Sequence, residues 1–165
     1  MPIGEGRAKQ PRGVIGTLAR DWSIATVVTL QSGVPVAVTQ PNSLGYAGFT
    51  TQRPNLVGDP TLPSDERTPA RWFNTAAFAP ASQFSLGTAS RNPVRGPSYR
   101  DVDLAVMRLV RVGGGRVIEL RAEVFNLLNT VNYGAPAAML GAANFGTITS
   151  ALDPRVVQFA VKYSF

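Results

Sequence analysis

R-V-V-Q-F-A-V-K-Y-S-F, residues 155–165, is the stretch from which the rest of the chain is read. Val157, Phe159, Val161, Tyr163 and Phe165 take every second position and are apolar or aromatic. Gln158, Ala160, Lys162 and Ser164 between them are polar or small. A period of two belongs to a strand with one apolar and one wet face. The pattern runs to the last carboxylate with no polar tail, where most soluble domains fray. The apolar side of this strand therefore needs an apolar medium up to its final residue.

Working outward, the same alternation returns three times. Arg116 to Asn126 shows it most cleanly: Ile118, Leu120, Ala122 and Val124 share one face, and Glu119, Arg121 and Glu123 the other. Asp101 to Val112 places Val102, Leu104, Val106, Val110 and Val112 on one side, interrupted by Arg108. Gly113-Gly114-Gly115 joins these two segments as a tight hairpin turn. It lacks the helix and the Lys-Ser/Thr pair of a phosphate-binding loop. Trp22 to Thr39 carries Trp22, Ile24, Val28, Leu30, Val34, Val36 and Val38 on one parity and reads as a long strand or a strand pair, with a bend expected at Ser32-Gly33 and Pro35. Residues 1–21 read as the stub of an earlier element, with a short segment at Val14–Ala19, followed by a turn.

The expected strands are thus 22–39, 101–112, 116–126 and 155–165, separated by irregular stretches at 40–98 and 127–154. About sixty residues without periodicity do not suit a compact soluble domain. Very short connections at one end of a sheet and long ones at the other suit a transmembrane barrel, whose strands need about 9–11 residues to cross. The expected fold is all-β: an antiparallel transmembrane β-barrel segment of about four strands with long extracellular loops. No apolar run is long enough for a membrane-spanning helix.

Composition narrows the chemistry. The 165 residues include no cysteine and no histidine, which removes thiolate nucleophiles, disulfides, zinc–sulfur sites and every histidine-based triad. No catalytic activity, metal or cofactor is expected. The net charge of +6 comes from arginines at strand ends (Arg20, Arg100, Arg111, Arg116, Arg155) and in loops (Arg53, Arg67, Arg71, Arg91, Arg95). They form no basic patch with interleaved aromatics, so nucleic acid is not an expected partner. Met1 to Gly6 is not a signal peptide, because it lacks an apolar segment. A membrane protein beginning this way is expected to be a fragment of a longer frame.

Two groups are candidates for function. Glu119, Arg121 and Glu123 could contact a substrate or act as an acid–base pair. They read better as a lumen-facing ion-pair ladder across neighbouring strands. Trp72, Phe73 and Phe78, within R-W-F-N-T-A-A-F (71–78), could stack on a sugar or peptide as loop ligand contacts. They read better as the local core of an extracellular loop. Trp22 and Tyr163 fall where an interfacial aromatic girdle is expected.

The ending F-A-V-K-Y-S-F resembles the C-terminal signature of bacterial outer-membrane proteins. That resemblance implies that Phe159, Val161, Tyr163 and Phe165 are the signal read by the barrel-assembly machinery. A wider resemblance is carried by L-Q-S-G-V-P (30–35), R-P-N-L-V-G-D-P (53–60), W-F-N-T-A-A-F (72–78), R-N-P-V-R-G-P (91–97), D-V-D-L (101–104), R-A-E-V-F-N-L-L-N (121–129), F-G-T-I-T-S-A (145–151) and the final strand. In this order they resemble the C-terminal end of TonB-dependent receptors, in the Oar-like branch with a carboxypeptidase-regulatory-like domain. The resemblance implies a plugged 22-stranded barrel in the outer membrane of a Gram-negative bacterium. Such a barrel imports a bulky ligand with energy from an inner-membrane coupling complex. The implied partners are outer-membrane lipid, the remaining strands and plug, the assembly machinery and, through other parts of the receptor, the coupling complex. The signal peptide, coupling box and plug are not found here, so these residues alone are not expected to transport. The alternative is a soluble all-β binding module using the aromatic loop 71–78.

Overall fold

The computed structural model describes residues 20–45 and 48–165, and the backbone of residues 2–3. The segment expected at Val14–Ala19 lies outside the described residues. The chain divides into two units: residues 1–30, 100–130 and 153–165, and residues 31–99 and 131–152.

The first unit is one antiparallel sheet. Its strands are β1 (Pro2–Ile3), β2 (Trp22–Gln31), β9 (Tyr99–Gly113), β10 (Arg116–Phe125) and β11 (Val156–Ser164), in the order β1-β2-β9-β10-β11. The Gly turn closes the β9–β10 hairpin as expected. Gly114 and Gly115 both have positive φ (59° and 77°), the type I′ geometry that matches the twist of the flanking strands. The register slips between Arg116, opposite Gly113, and Val117, opposite Arg111, which leaves Val112 as a bulge. Beyond that point pairing is regular: Leu120 sits between Arg108 and Val161, Ala122 between Val106 and Phe159, and Val124 between Leu104 and Val157.

The far end of the β10–β11 pair is closed by side chains, which explains the F-N-L-L-N sequence. Asn126 adopts φ 51°, which asparagine tolerates better than most residues. Its side-chain oxygen accepts from the Thr130 N–H at 2.9 Å, and its amide donates to the Thr130 carbonyl at 2.9 Å. The Asn126 N–H donates to Asp103 Oδ1 at 3.0 Å, and the Arg155 N–H to Asn129 Oδ1 at 3.2 Å. These bonds end β10 and launch β11 without a regular turn.

The second unit contains the short strands β3 (Pro35–Val36), β4 (Gln40–Pro41), β5 (Thr51–Gln52), β6 (Asn55–Leu56), β7 (Phe78–Ala79) and β8 (Val94–Arg95). They pair as β3–β8, β4–β5 and β6–β7. Of the long strand or strand pair expected at 22–39, the structure has the pair: β2 stops at Gln31, just before the expected Ser32-Gly33 bend, and β3 begins at Pro35. Gly33 explains the break: a Cβ there would collide with the Gly96 carbonyl, and the Gly96 N–H donates to the Val34 carbonyl at 2.9 Å. Val36 and Val38 keep the expected parity, but they enter a core in this second unit instead of continuing the sheet.

The irregular stretch at 40–98 is built around this core, with 71–78 packed locally within it. Val36, Val38, Phe73, Ala77, Phe78, Ala89 and Val94 are buried together, with Phe145 packed against them. A 3₁₀ turn at Thr75–Ala77 sends Phe73 and Phe78 to the same side. The Phe73, Phe78 and Phe145 rings meet edge-to-face, with centroids 5.2–6.0 Å apart. Polar side chains satisfy the irregular backbone around this core. Buried Gln40 accepts from the Ala81 N–H, Asp59 from the Thr61 N–H and Asn42 from the Leu44 N–H, each at 2.8 Å. This is why the stretch is rich in Asn, Asp, Ser and Thr yet ordered.

Candidate functional site

The four long strands sort their side chains onto two faces of different chemistry. One face carries Leu104, Val106 and Val110 of β9, Ile118, Leu120, Ala122 and Val124 of β10, and Val157, Phe159, Val161 and Tyr163 of β11, aligned row by row. Arg108 interrupts it. Its guanidinium lies 5.3 Å from the Trp22 ring centroid, so Trp22 of β2 belongs to the same face. With Trp22 go Ile24, Thr26, Val28 and Leu30, two residues apart along β2. Among the described residues of this unit no second layer covers them: Phe159 is 80% exposed and Val161 71%. An uncovered apolar face of this extent is far larger than the patches soluble monomers show.

The opposite face holds the charges. Arg121 bridges Glu119 at 3.1 Å and Glu123 at 3.5 Å. The expected ladder across neighbouring strands is corrected here, because the ion pairs run along β10 itself. The reason is the register. Opposite Glu119, Arg121 and Glu123 on β9 stand Leu109, Met107 and Ala105, which offer Arg121 no partner. The cross-strand link is a hydrogen bond from Gln158 of β11 to Glu123, and Lys162 stands opposite Glu119. Both carboxylates are thus engaged, as a hydrated polar surface requires.

Aromatic residues mark one end of this sheet. Tyr163 pairs with Ile118 near the Gly turn, and its ring lies 5.8 Å from that of Phe165, which is 99% exposed. The Trp22 end of β2 is tied to β9 by the Leu109 N–H donating to the Asp21 carbonyl and by the 3.0 Å Arg111–Asp21 ion pair. Of the residues implied as an assembly signal, Phe159, Val161 and Tyr163 lie on the apolar face of β11, and Phe165 follows its end.

The aromatic loop is brought together differently from a ligand platform. Phe73 and Phe78 are buried, so as ligand contacts they are corrected to core residues. Trp72 is half-buried beside them, with its indole N–H donating to the Arg95 carbonyl at 2.8 Å. It lines a cavity of about 330 Å³ together with Arg67, Arg95, Asn92, Thr61 and Pro60. Sequence reasoning picked out Trp72 but not these neighbours, which come from three separate segments and share no periodicity.

No curated protein and no solved structure gives a significant match to the chain. A family model described as an outer membrane beta barrel domain matches residues 1–158. The uncovered apolar face, the charged opposite face and the aromatic end are what strands of such a barrel require, and the chain belongs to the outer-membrane β-barrel domain family of Gram-negative bacteria.

Proposed function

We propose that this chain forms the closing strands and outer loops of a TonB-dependent, Oar-like receptor that imports a bulky ligand across the outer membrane. The observation that carries the reading is the two-faced sheet of long strands, read together with eight ordered motifs that resemble that receptor class. In this reading the apolar face meets lipid and the Glu119–Arg121–Glu123 face meets the aqueous lumen. The far edge of β11 carries no partner strand among the described residues, so the sheet is open. A lumen requires further strands to close it, and a wide lumen requires a plug. Energy coupling would act through parts of the receptor other than these residues. The role is passage and binding, not catalysis. The match to an outer membrane beta barrel domain supports this reading over the alternative of a soluble binding module.

The test uses the full-length receptor in its native outer membrane, with the inner-membrane coupling complex intact or deleted. Ligand candidates are taken from the growth medium by depletion. Uptake should fall to background without the complex while surface binding persists. Uptake that is unchanged without the complex would show a passive channel and refute energy coupling.

A further inference from the structure

The cavity beside Trp72 combines features that neither the family nor the lipid-facing sheet explains. Two arginines, Arg67 and Arg95, are among its lining residues, and no acidic residue is. Neither arginine is in an ion pair among the described residues. Each is held by a single carbonyl: Arg67 Nε donates to Leu62 at 2.8 Å and Arg95 donates to Gly33 at 3.3 Å. The remaining N–H groups of both form planar forks suited to a carboxylate or phosphate. The rest of the wall differs in kind. Trp72 is pinned through its indole N–H and backed by the aromatic core, and Pro60 adds a second apolar surface. Asn92 and Thr61 are exposed and supply both donors and acceptors.

A ligand that satisfies this lining carries one negative charge, an apolar C–H face and several hydroxyls. We propose that the cavity binds a sugar acid, with its carboxylate on Arg67 and Arg95, its ring against Trp72, and its hydroxyls on Asn92 and Thr61. The cavity volume of about 330 Å³ lies at the lower end of small-molecule sites, which suits one or two sugar rings. A phosphorylated sugar meets the same arginines. The carboxylate is preferred because one singly charged group takes up the two forks and leaves the Asn92 amide and Thr61 hydroxyl for the ring hydroxyls. The inference concerns binding by the second unit alone and does not depend on energy coupling.

Calorimetric titration of the full chain in detergent micelles tests it with three probes: methyl glucuronide, its uncharged methyl ester, and glucose 6-phosphate. Methyl glucuronide should bind saturably, and at least about tenfold more tightly than either of the others, as loss of a charged hydrogen-bonded contact implies. Arg95→Gln should lower glucuronide affinity about tenfold and leave the ester unaffected. Arg67→Lys, which keeps the charge but not the fork, should fall between wild type and Arg67→Gln. Tryptophan fluorescence of each variant checks that the unit remains folded, and Arg95, with its one long bond, is the variant least able to disturb it. No glucuronide binding, equal binding of the ester, tighter binding of the phosphate, or an Arg95→Gln variant that binds as well as wild type would each overturn the proposal.

Discussion

Two alanines on opposite faces of the sheet give a matched test of where lipid lies. Ala122 of β10 stands between Val106 and Phe159 on the apolar face. Ala105 of β9 stands opposite Glu123 on the charged face. Replacing either with arginine is the same chemical change. Ala122 is the seventh residue of β10 counted from Arg116. At about 3.3 Å per residue and a tilt of about 40°, it lies about 15 Å along the membrane normal, half the depth of a core about 30 Å thick. Ala122→Arg should therefore cost about 2–4 kcal/mol, the cost of a lipid-facing arginine at the midplane. Ala105→Arg should stay within about 1 kcal/mol of wild type, because water solvates it and Glu123 lies across the strand. Leu120, nearer the strand's sequence midpoint, is a poorer probe: Arg108 lies directly opposite, so a second arginine there adds like-charge repulsion. Reversible urea unfolding of the full-length barrel in lipid vesicles measures both variants. A gap of about 2 kcal/mol is about a 30-fold difference in the folding equilibrium, well within reach. Equal costs, or a larger cost at Ala105, would refute the assignment of the apolar face to lipid.

Asn126→Ala should cost about 2–4 kcal/mol in the same assay, since it removes two 2.9 Å bonds to Thr130 and forces alanine into φ 51°. Asn126→Gly should cost less, because glycine adopts that φ freely; identical losses would show that the backbone conformation carries none of the effect. Deleting Phe165 from the full-length receptor should lower its amount in the outer membrane several-fold at unchanged synthesis, as measured by surface labelling against total protein. Unaltered surface levels would remove Phe165 from any role in assembly.

What could be read from sequence follows the reach of each interaction. β10 and β11 were legible because alternation is a property of adjacent residues and both faces are chemically distinct. The Gly113–Gly115 turn was legible for the same reason. The end of β2 was legible only as a bend at Ser32-Gly33. Val34, Val36 and Val38 continue the parity of Leu30, and the break depends on Gly33 meeting Gly96, sixty-three positions away in the chain. The aromatic content of 71–78 signalled local packing, but its third ring, Phe145, arrives from a distant segment. Arg121 was recognised as an ion-pair centre, yet the direction of its pairs depended on the β9 register, which no spacing within β10 reveals. The cavity at Trp72 was the least legible feature, being assembled from residues 60–73 and 92–95 without any shared motif.

Among the described residues, the buried hydrophobic ones all belong to the second unit, and the long strands contribute none. The two units are therefore stabilised by different solvents. The second buries its apolar surface against itself and answers to water, denaturant and temperature as a small soluble domain does. With its apolar face toward lipid, as the matched alanine test assumes, the sheet's stability should follow acyl-chain length and headgroup as much as its own residues. Thinner or thicker bilayers should displace the calorimetric transition of the strands and leave that of the loop unit where it was. A substitution tolerated in one unit carries no information about the other: valine to threonine is a buried-hydroxyl problem at Val38 and a lipid-solvation problem at Val161.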